Sequence, residues 1–341
     1  MKNFILQNEN AIYFECKFSC DNVIFLNLEK DRFFITDSRY TTEAKEYAKK
    51  CEVVESSNLI ETAKEILKKN KIKKIHFDPN DFTYATYTKL SEDIKTQFVE
   101  KPNFSKQKRI IKSDKEIDLL KKAAEAGRVG FKELAKYIRK NGFHQTEQFL
   151  FFKAFEKMTQ SGKLDISFEP IVAINENAAK PHALPTSKKL KLNDLILVDA
   201  GIKYKRYCSD RTCTSVVDFE KFSFKREQKF KKEKKQKIYD IVLKAQLNAI
   251  ENARTGMKAS EVDKLTRDII EQSGFGKYFV HSTGHGVGLD IHEYPTINSK
   301  SDVIIEDNMV FTIEPGIYLP DEFGVRIEDT VVMQNGKAVI L

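Results

Sequence analysis

Four apolar, strand-like segments of this chain each carry a carboxylate: Asp199 in LILVDAG, Asp210 in YCSDRTCT, Glu314 in FTIEPGIY and Glu328 in GVRIEDT. An ionised carboxylate in an apolar sheet is costly unless paired or coordinated, and like charges facing each other across a ladder are destabilising. A fold of this sequence must therefore supply a cation. A turn centred between Tyr204 and Lys205 makes Asp199 and Asp210 cross-strand partners, and a turn at Asp321 in LPDEFG sets Glu314 opposite Glu328. Three of the six histidines, His281, His285 and His292, lie nearby in HSTGHGVGLDIHEYP. Two acidic hairpins and a glycine-flanked histidine form a donor set of mostly hard oxygen atoms, which reads as a two-metal site. Other chemistries find less support. GHGVG lacks the GxGxxG spacing and any GK[ST], no GxSxG occurs, and no cysteine has an evident activating partner.

With 341 residues the chain exceeds the usual span of one core, so two domains of α/β (α+β) class are expected. Residues 1 to about 100 alternate strands (AIYFEC, NVIFLNL, RFFITD, CEVVES, KKIHFD) with helices (YTTEAKEYAKK, LIETAKEILKKN and a segment near 84–92), implying a sheet covered by helices. His76 there reads as structural. The polar, basic KPNFSKQKRIIKSD, residues 101–114, reads as a linker. Ser113 and Glu116 then match a capping box, and Ile117, Leu120, Ala124 and Gly127 follow along one helical face. Another helix is expected from Gln145, with His144 as a cap or surface residue. His182 lies in a loop bounded by Pro181 and Pro185, and two amphipathic helices, IYDIVLKAQLNAIENA and SEVDKLTRDIIEQSG, precede the histidine stretch, the second ending on Gly274.

The net charge of +8 is concentrated: residues 221–237 hold nine Lys/Arg against two Glu, a local +7. Phe222, Phe224 and Phe230 interleave with these cations as in some nucleic-acid contacts. A charge run of this kind reads as a solvated surface insertion, dispensable for chemistry, which argues against a nucleic-acid partner. No apolar run approaches the roughly 18 residues of a bilayer span. The N-terminus lacks the apolar core of a signal peptide, and five cysteines without a CxxC pair suit a reducing compartment, so the expected location is cytoplasmic.

The order Asp199, Asp210, His285, Glu314, Glu328, within VDAGIKYKRYCSDRT, HSTGHGVGLDIHEYP, TIEPGIY and GVRIEDT, resembles the ligand set of the pita-bread metallopeptidases. The likeness covers essentially the whole chain. It implies a creatinase-type N-terminal domain with linker over residues 1–112 and a pita-bread catalytic domain over 113–341. The N-terminal domain, His281 and Arg326 are similar to the proline-specific branch. That resemblance implies a dinuclear exopeptidase cleaving after an N-terminal residue that precedes proline (an Xaa-Pro aminopeptidase), with a dipeptide-restricted Xaa-Pro dipeptidase as the alternative. A non-catalytic peptide- or RNA-binding protein on the same fold is the reading outside enzymes. The resemblance further implies metal ligands Asp199, Asp210, His285, Glu314 and Glu328, with Glu314, His182 and His292 in catalysis and His281 and Arg326 on the substrate. Two divalent ions, Mn²⁺ before Co²⁺ or Zn²⁺, proline-containing peptides as substrates and a homodimer or higher homo-oligomer complete the expectation.

Overall fold

The computed structural model describes residues 2–341 and separates into two compact units, Met1–Lys108 and Arg109–Leu341. In the first, a six-stranded sheet runs in the order Glu52–Glu55, Arg32–Thr36, Val23–Asn27, Phe4–Leu6, Lys74–Phe77, Gln97–Glu100. Alternation along its strands feeds two cores. Phe4, Leu6, Phe25 and Phe34 pack with Ala11, Ile12, Cys16 and Ala44, whereas Ile5, Ile24, Leu26 and Ile35 pack with Ala63, Leu67 and Ile75. A sheet buried on both faces is what the alternating helices imply.

One expectation fails here. AIYFEC belongs to the helix Glu9–Cys16, and the strand lies upstream at Phe4–Leu6. The short apolar run fits either state, and Asn8 decides it: its side chain accepts from the Ala11 N–H, capping a helix whose buried residues are Ala11, Ile12 and Cys16.

Within the second unit, an order of elements occurs twice. Helices Asp114–Asn141 and Glu147–Met158 precede the hairpin of Leu195–Asp199 with Thr212–Val216, and helices Glu233–Asn252 and Ala259–Gln272 precede the hairpin of Val310–Ile313 with Asp329–Gln334. The first hairpin lies in a three-stranded sheet with Ile171–Ile174, and the second in a five-stranded sheet with Glu293–Ile297, Gly284–Gly286 and Lys337–Ile340. Paired aspartates and paired glutamates are thus matched by paired architecture. The Ser113–Glu116 capping box forms as expected, and Gly274 follows the last helix at φ +85°.

The segment read as a linker is ordered structure. Phe104–Lys108 is helical with Phe104 and Ser105 buried. Arg109 and Lys112 are buried too: Arg109 meets Asp290 at 2.6 Å and Glu293 at 3.0 Å, and the Lys112 ammonium meets Glu293 at 2.7 Å. Polar composition suggested solvent, but these cations neutralise buried acids.

The Lys-rich segment is likewise no peripheral insertion. Phe222, Phe224 and Phe230 are buried, with Phe224 edge-on to both Phe131 and Phe222. Arg226 pairs with Asp329, and Gln228 accepts from the Val216 N–H at 3.0 Å. Its lysines supply the charge, and its aromatic and polar side chains anchor it to both hairpins.

Candidate metal centre

Both hairpins have a break in the ladder, and Asp210, Glu314 and Glu328 stand in these breaks while Asp199 ends a paired strand. In the second, the ladder runs Ile313↔Asp329 inside the break and Gly316↔Arg326 beyond it, leaving Glu314 and Glu328 at equivalent positions in the gap. Asp321 turns at φ 59°, so the expected register holds. In the first, Lys203 pairs with Cys208 and Tyr204 with Tyr207, centring the turn between Lys205 and Arg206. That is one residue later than expected, and Asp199 faces Thr212 instead of Asp210. Lys205 and Arg206 adopt φ 46° and 72°, the left-handed pair a two-residue hairpin needs, without the Asn-Gly signature that would have marked it. Asp210 therefore lies in the break beside the second hairpin.

His285 sits on the strand Gly284–Gly286, between two glycines that cannot be enlarged. A Cβ on Gly284 would meet the Thr312 carbonyl oxygen at 1.9 Å, and one on Gly286 the Tyr294 carbonyl oxygen at 2.1 Å. GHG thus permits close strand packing, which is the role of its glycines. Burial, chiefly, pushes the His285 imidazole down to about 4, so it is neutral with one N–H, which Nδ1 donates to the Gly286 carbonyl at 3.1 Å. Nε2 then presents its lone pair toward carboxyl oxygens of Glu314 at 3.4 Å and Asp210 at 3.5 Å.

Asp210, His285 and Glu328 offer ligand atoms within 4.8 Å of one another. Burial, then the surrounding acids, push Asp210 and Glu328 well above the usual carboxylate range, and burial pushes Glu314 up to about 7. The Asp199 Oδ1 is buried with no hydrogen-bond partner. Converging lone pairs, acids that resist ionising together and an orphaned carboxylate oxygen all fit divalent cations.

Arg326 organises the far side of Asp199. Fully enclosed, its guanidinium donates to Asp199 Oδ2 at 2.6 Å, Thr212 Oγ1 at 2.9 Å, the Tyr318 hydroxyl at 2.8 Å and the Pro181 carbonyl at 3.2 Å. His281 is pushed down to about 4, mainly by burial. Its Nδ1 donates to the Ser282 carbonyl at 2.8 Å, and its Nε2 accepts from the Tyr318 hydroxyl at 2.9 Å. The His292 ring stands edge-to-face with His285, centroids 4.4 Å apart. His182 is exposed, next to the Pro181 that Arg326 holds.

Residue-type reasoning missed the hydroxyl groups that orient these acids. Thr212 Oγ1 donates to Glu328 at 2.7 Å and Thr312 Oγ1 to Glu314 at 3.1 Å. Each lies two residues from a carboxylate, Asp210 and Glu314, so the strand period of two could have found them.

Known proteins carry the same organisation. The model of metallopeptidase family M24 matches residues 118–335, and that of the creatinase/prolidase N-terminal domain matches residues 1–111. The chain is 36% identical over 313 residues to the uncharacterized peptidase YqhT of Bacillus subtilis, covering 90% of this chain and 84% of that protein. A solved Xaa-Pro dipeptidase from Bacillus anthracis superposes with a TM-score of 0.91 at 34% identity, covering 99% of this chain and 92% of that one. An X-Pro aminopeptidase from Thermotoga maritima gives 0.87 at 30% identity, covering 100% and 95%. The chain therefore belongs to metallopeptidase family M24, in the pita-bread proline-peptidase branch that carries a creatinase/prolidase N-terminal domain, and it is a metallo-exopeptidase.

Proposed function

We propose that the chain is a dinuclear Xaa-Pro aminopeptidase, removing an N-terminal residue that precedes proline. The observation that carries the metal chemistry is the neutral His285 Nε2 facing Asp210 and Glu314 oxygens. In this reading Asp199, Asp210, His285, Glu314 and Glu328 would hold the two ions, with Asp210 and Glu328 serving both. Bound ions supply an acidified water and a Lewis-acid contact for the scissile carbonyl.

The remaining roles fall to side chains. Glu314, oriented by Thr312, takes the proton of the attacking water. His292, beside His285, and His182 flank the scissile amide, where an N–H donor meets developing charge on oxygen or the leaving imide nitrogen. His281 and Arg326, joined through Tyr318, form the wall that receives the substrate. An acylated proline nitrogen has no N–H and a fixed φ, so the site needs space for a pyrrolidine ring in place of a backbone acceptor.

Carboxylates with one imidazole suit Mn²⁺, with Co²⁺ or Zn²⁺ as alternatives. Five free thiols accord with a cytoplasmic location, and the exposed Phe149, Phe152 and Phe155 of one helix offer an apolar face for a homo-oligomer. No helix of the described residues is long and apolar enough to cross a membrane. Burial of Phe222, Phe224 and Phe230 removes the stacking surface an RNA-binding reading needs.

The test is hydrolysis by metal-reconstituted protein of an Xaa-Pro dipeptide and an Xaa-Pro-Yaa tripeptide. Tripeptide cleavage is expected. Cleavage of the dipeptide alone selects the dipeptidase, and no cleavage of either with Mn²⁺, Co²⁺ or Zn²⁺ rejects the proline-peptidase reading.

A further inference from the structure

Glu147 has no part in the chemistry above, yet it is completely buried at the first position of the helix Glu147–Met158. A carboxylate in that situation is expected beside a cation. Here its partners are instead four neutral donors. It accepts from the Ile174 N–H at 2.6 Å, Asn177 Nδ2 at 2.9 Å, the Thr186 N–H at 2.7 Å and Thr186 Oγ1 at 2.5 Å. Oε1 takes the Ile174 N–H and Oε2 the other three, so both oxygens of the carboxylate are engaged. All four belong to the two ends of a single loop, and His182 lies between them.

That loop has little means of holding itself. Pro181 and Pro185 contribute no N–H, and His182 is exposed between them. Beyond backbone bonds from the Lys180 N–H to the Asn177 carbonyl at 3.1 Å and from the Gln148 N–H to the Thr186 carbonyl at 3.2 Å, side-chain anchors and close packing hold it. Asn177 Nδ2 also donates to the Leu184 carbonyl at 2.9 Å, closing the loop across its base. Arg326 Nη1 donates to the Pro181 carbonyl at 3.2 Å. Ala178 packs against Gly324 so closely that a Cβ there would lie 1.9 Å from the Ala178 carbonyl oxygen. Glu147 thus fixes both ends, and Arg326, itself bound to Asp199, fixes the residue before His182.

We propose that Glu147 is a positioning residue that clamps the 174–186 loop and holds His182 at the substrate; this rests on the role given to His182 above. A displacement of about 1 Å at a catalytic group can cost on the order of 10²-fold in rate. The loss of part of this clamp therefore appears in turnover while the metal ligands stay in place.

A double-mutant cycle on the metal-loaded full chain tests this, using Glu147→Gln, His182→Ala and the pair. Expected are a fall in kcat of about tenfold or more for Glu147→Gln, wild-type metal content, and a double variant no slower than His182→Ala. Hydrogen exchange should quicken in residues 175–186 of Glu147→Gln and remain unchanged in 195–216 and 310–334. If His182→Ala turns over like wild type, the role of His182 falls, and the clamp's function with it. If His182→Ala is impaired and the two losses multiply in the double variant, Glu147 does not act through His182, and the proposal is overturned while that role stands. Should Glu147→Gln fail to fold, Thr186→Val, which removes one hydroxyl donor at nearly constant shape, takes its place in the cycle, with the same outcomes supporting or overturning the clamp.

Discussion

The two acidic hairpins of the catalytic unit share one device and use it differently. Each has a break in its ladder from which carboxylates emerge. In the glutamate hairpin both acids stand in the break at equivalent positions, among other acids. The aspartate hairpin is offset: Asp199 remains within the ladder opposite Thr212 and pairs with the buried Arg326, while Asp210 stands in the break facing His285. One aspartate therefore already has a cationic partner, whereas Asp210, Glu314 and Glu328 crowd together and are pushed toward their protonated forms. Proximity to a metal site does not by itself tell what an acid contributes to the fold.

The sharpest way to break this comparison is through turnover. Asp210→Ala or Glu328→Ala should remove bound metal and lower kcat/KM by about 10³-fold or more with the circular dichroism spectrum intact; wild-type metal content and activity in either variant would contradict the shared-ligand assignment. Next in size is stability without metal. Asp199→Ala strands the buried Arg326 charge and should cost about 3–5 kcal/mol in urea unfolding. Asp210→Asn relieves like-charge crowding and should raise the midpoint. Shifts of the same sign in these two variants would erase the distinction.

Acidity offers a milder probe. Above about pH 7.5, His281 and His285, pushed down to about 4 in the fold, are neutral in the folded chain and almost wholly neutral in the unfolded one, so they drop out. Raised carboxylates then bind protons only in the folded state, and Glu314, raised to about 7, releases its proton in this range. Stability of the metal-free protein should therefore fall as pH rises above about 7.5, and a divalent ion should flatten that slope. A flat metal-free profile would show that the acids ionise freely. Smallest is the tethering of the two hairpins by the Lys-rich segment. Arg226→Met, losing a part-exposed charged pair with Asp329, should cost about 1–3 kcal/mol, and Gln228→Ala, losing a neutral bond to Val216, about 1 kcal/mol, both by urea unfolding. No loss in either would return the segment to a peripheral role.

How much of this was legible depended on how locally each feature is encoded. The glutamate register follows from a recognisable turn at Asp321. The aspartate register hinges on left-handed Lys205 and Arg206, residue types that do not announce that conformation. The motif acids could be named from their apolar surroundings, and the hydroxyl groups of Thr212 and Thr312 follow the same strand alternation. Arg109, Lys112 and Arg226 read as solvated because a charge run looks the same whether its partners are water or distant acids such as Glu293 and Asp329. Glu147 was invisible for a related reason: its value lies in four donors scattered from Ile174 to Thr186.

Arg109 and Lys112 bear on how the protein can be dissected. A recombinant catalytic half beginning at Ser113 would discard both cations and leave Glu293, immediately after His292, as an enclosed negative charge. Starting four residues earlier, at Arg109, keeps the counter-ions. The shorter version should aggregate or lose the strand Glu293–Ile297 where the longer one stays intact, so the safe place to cut is set by charge neutrality within the sheet that carries His285.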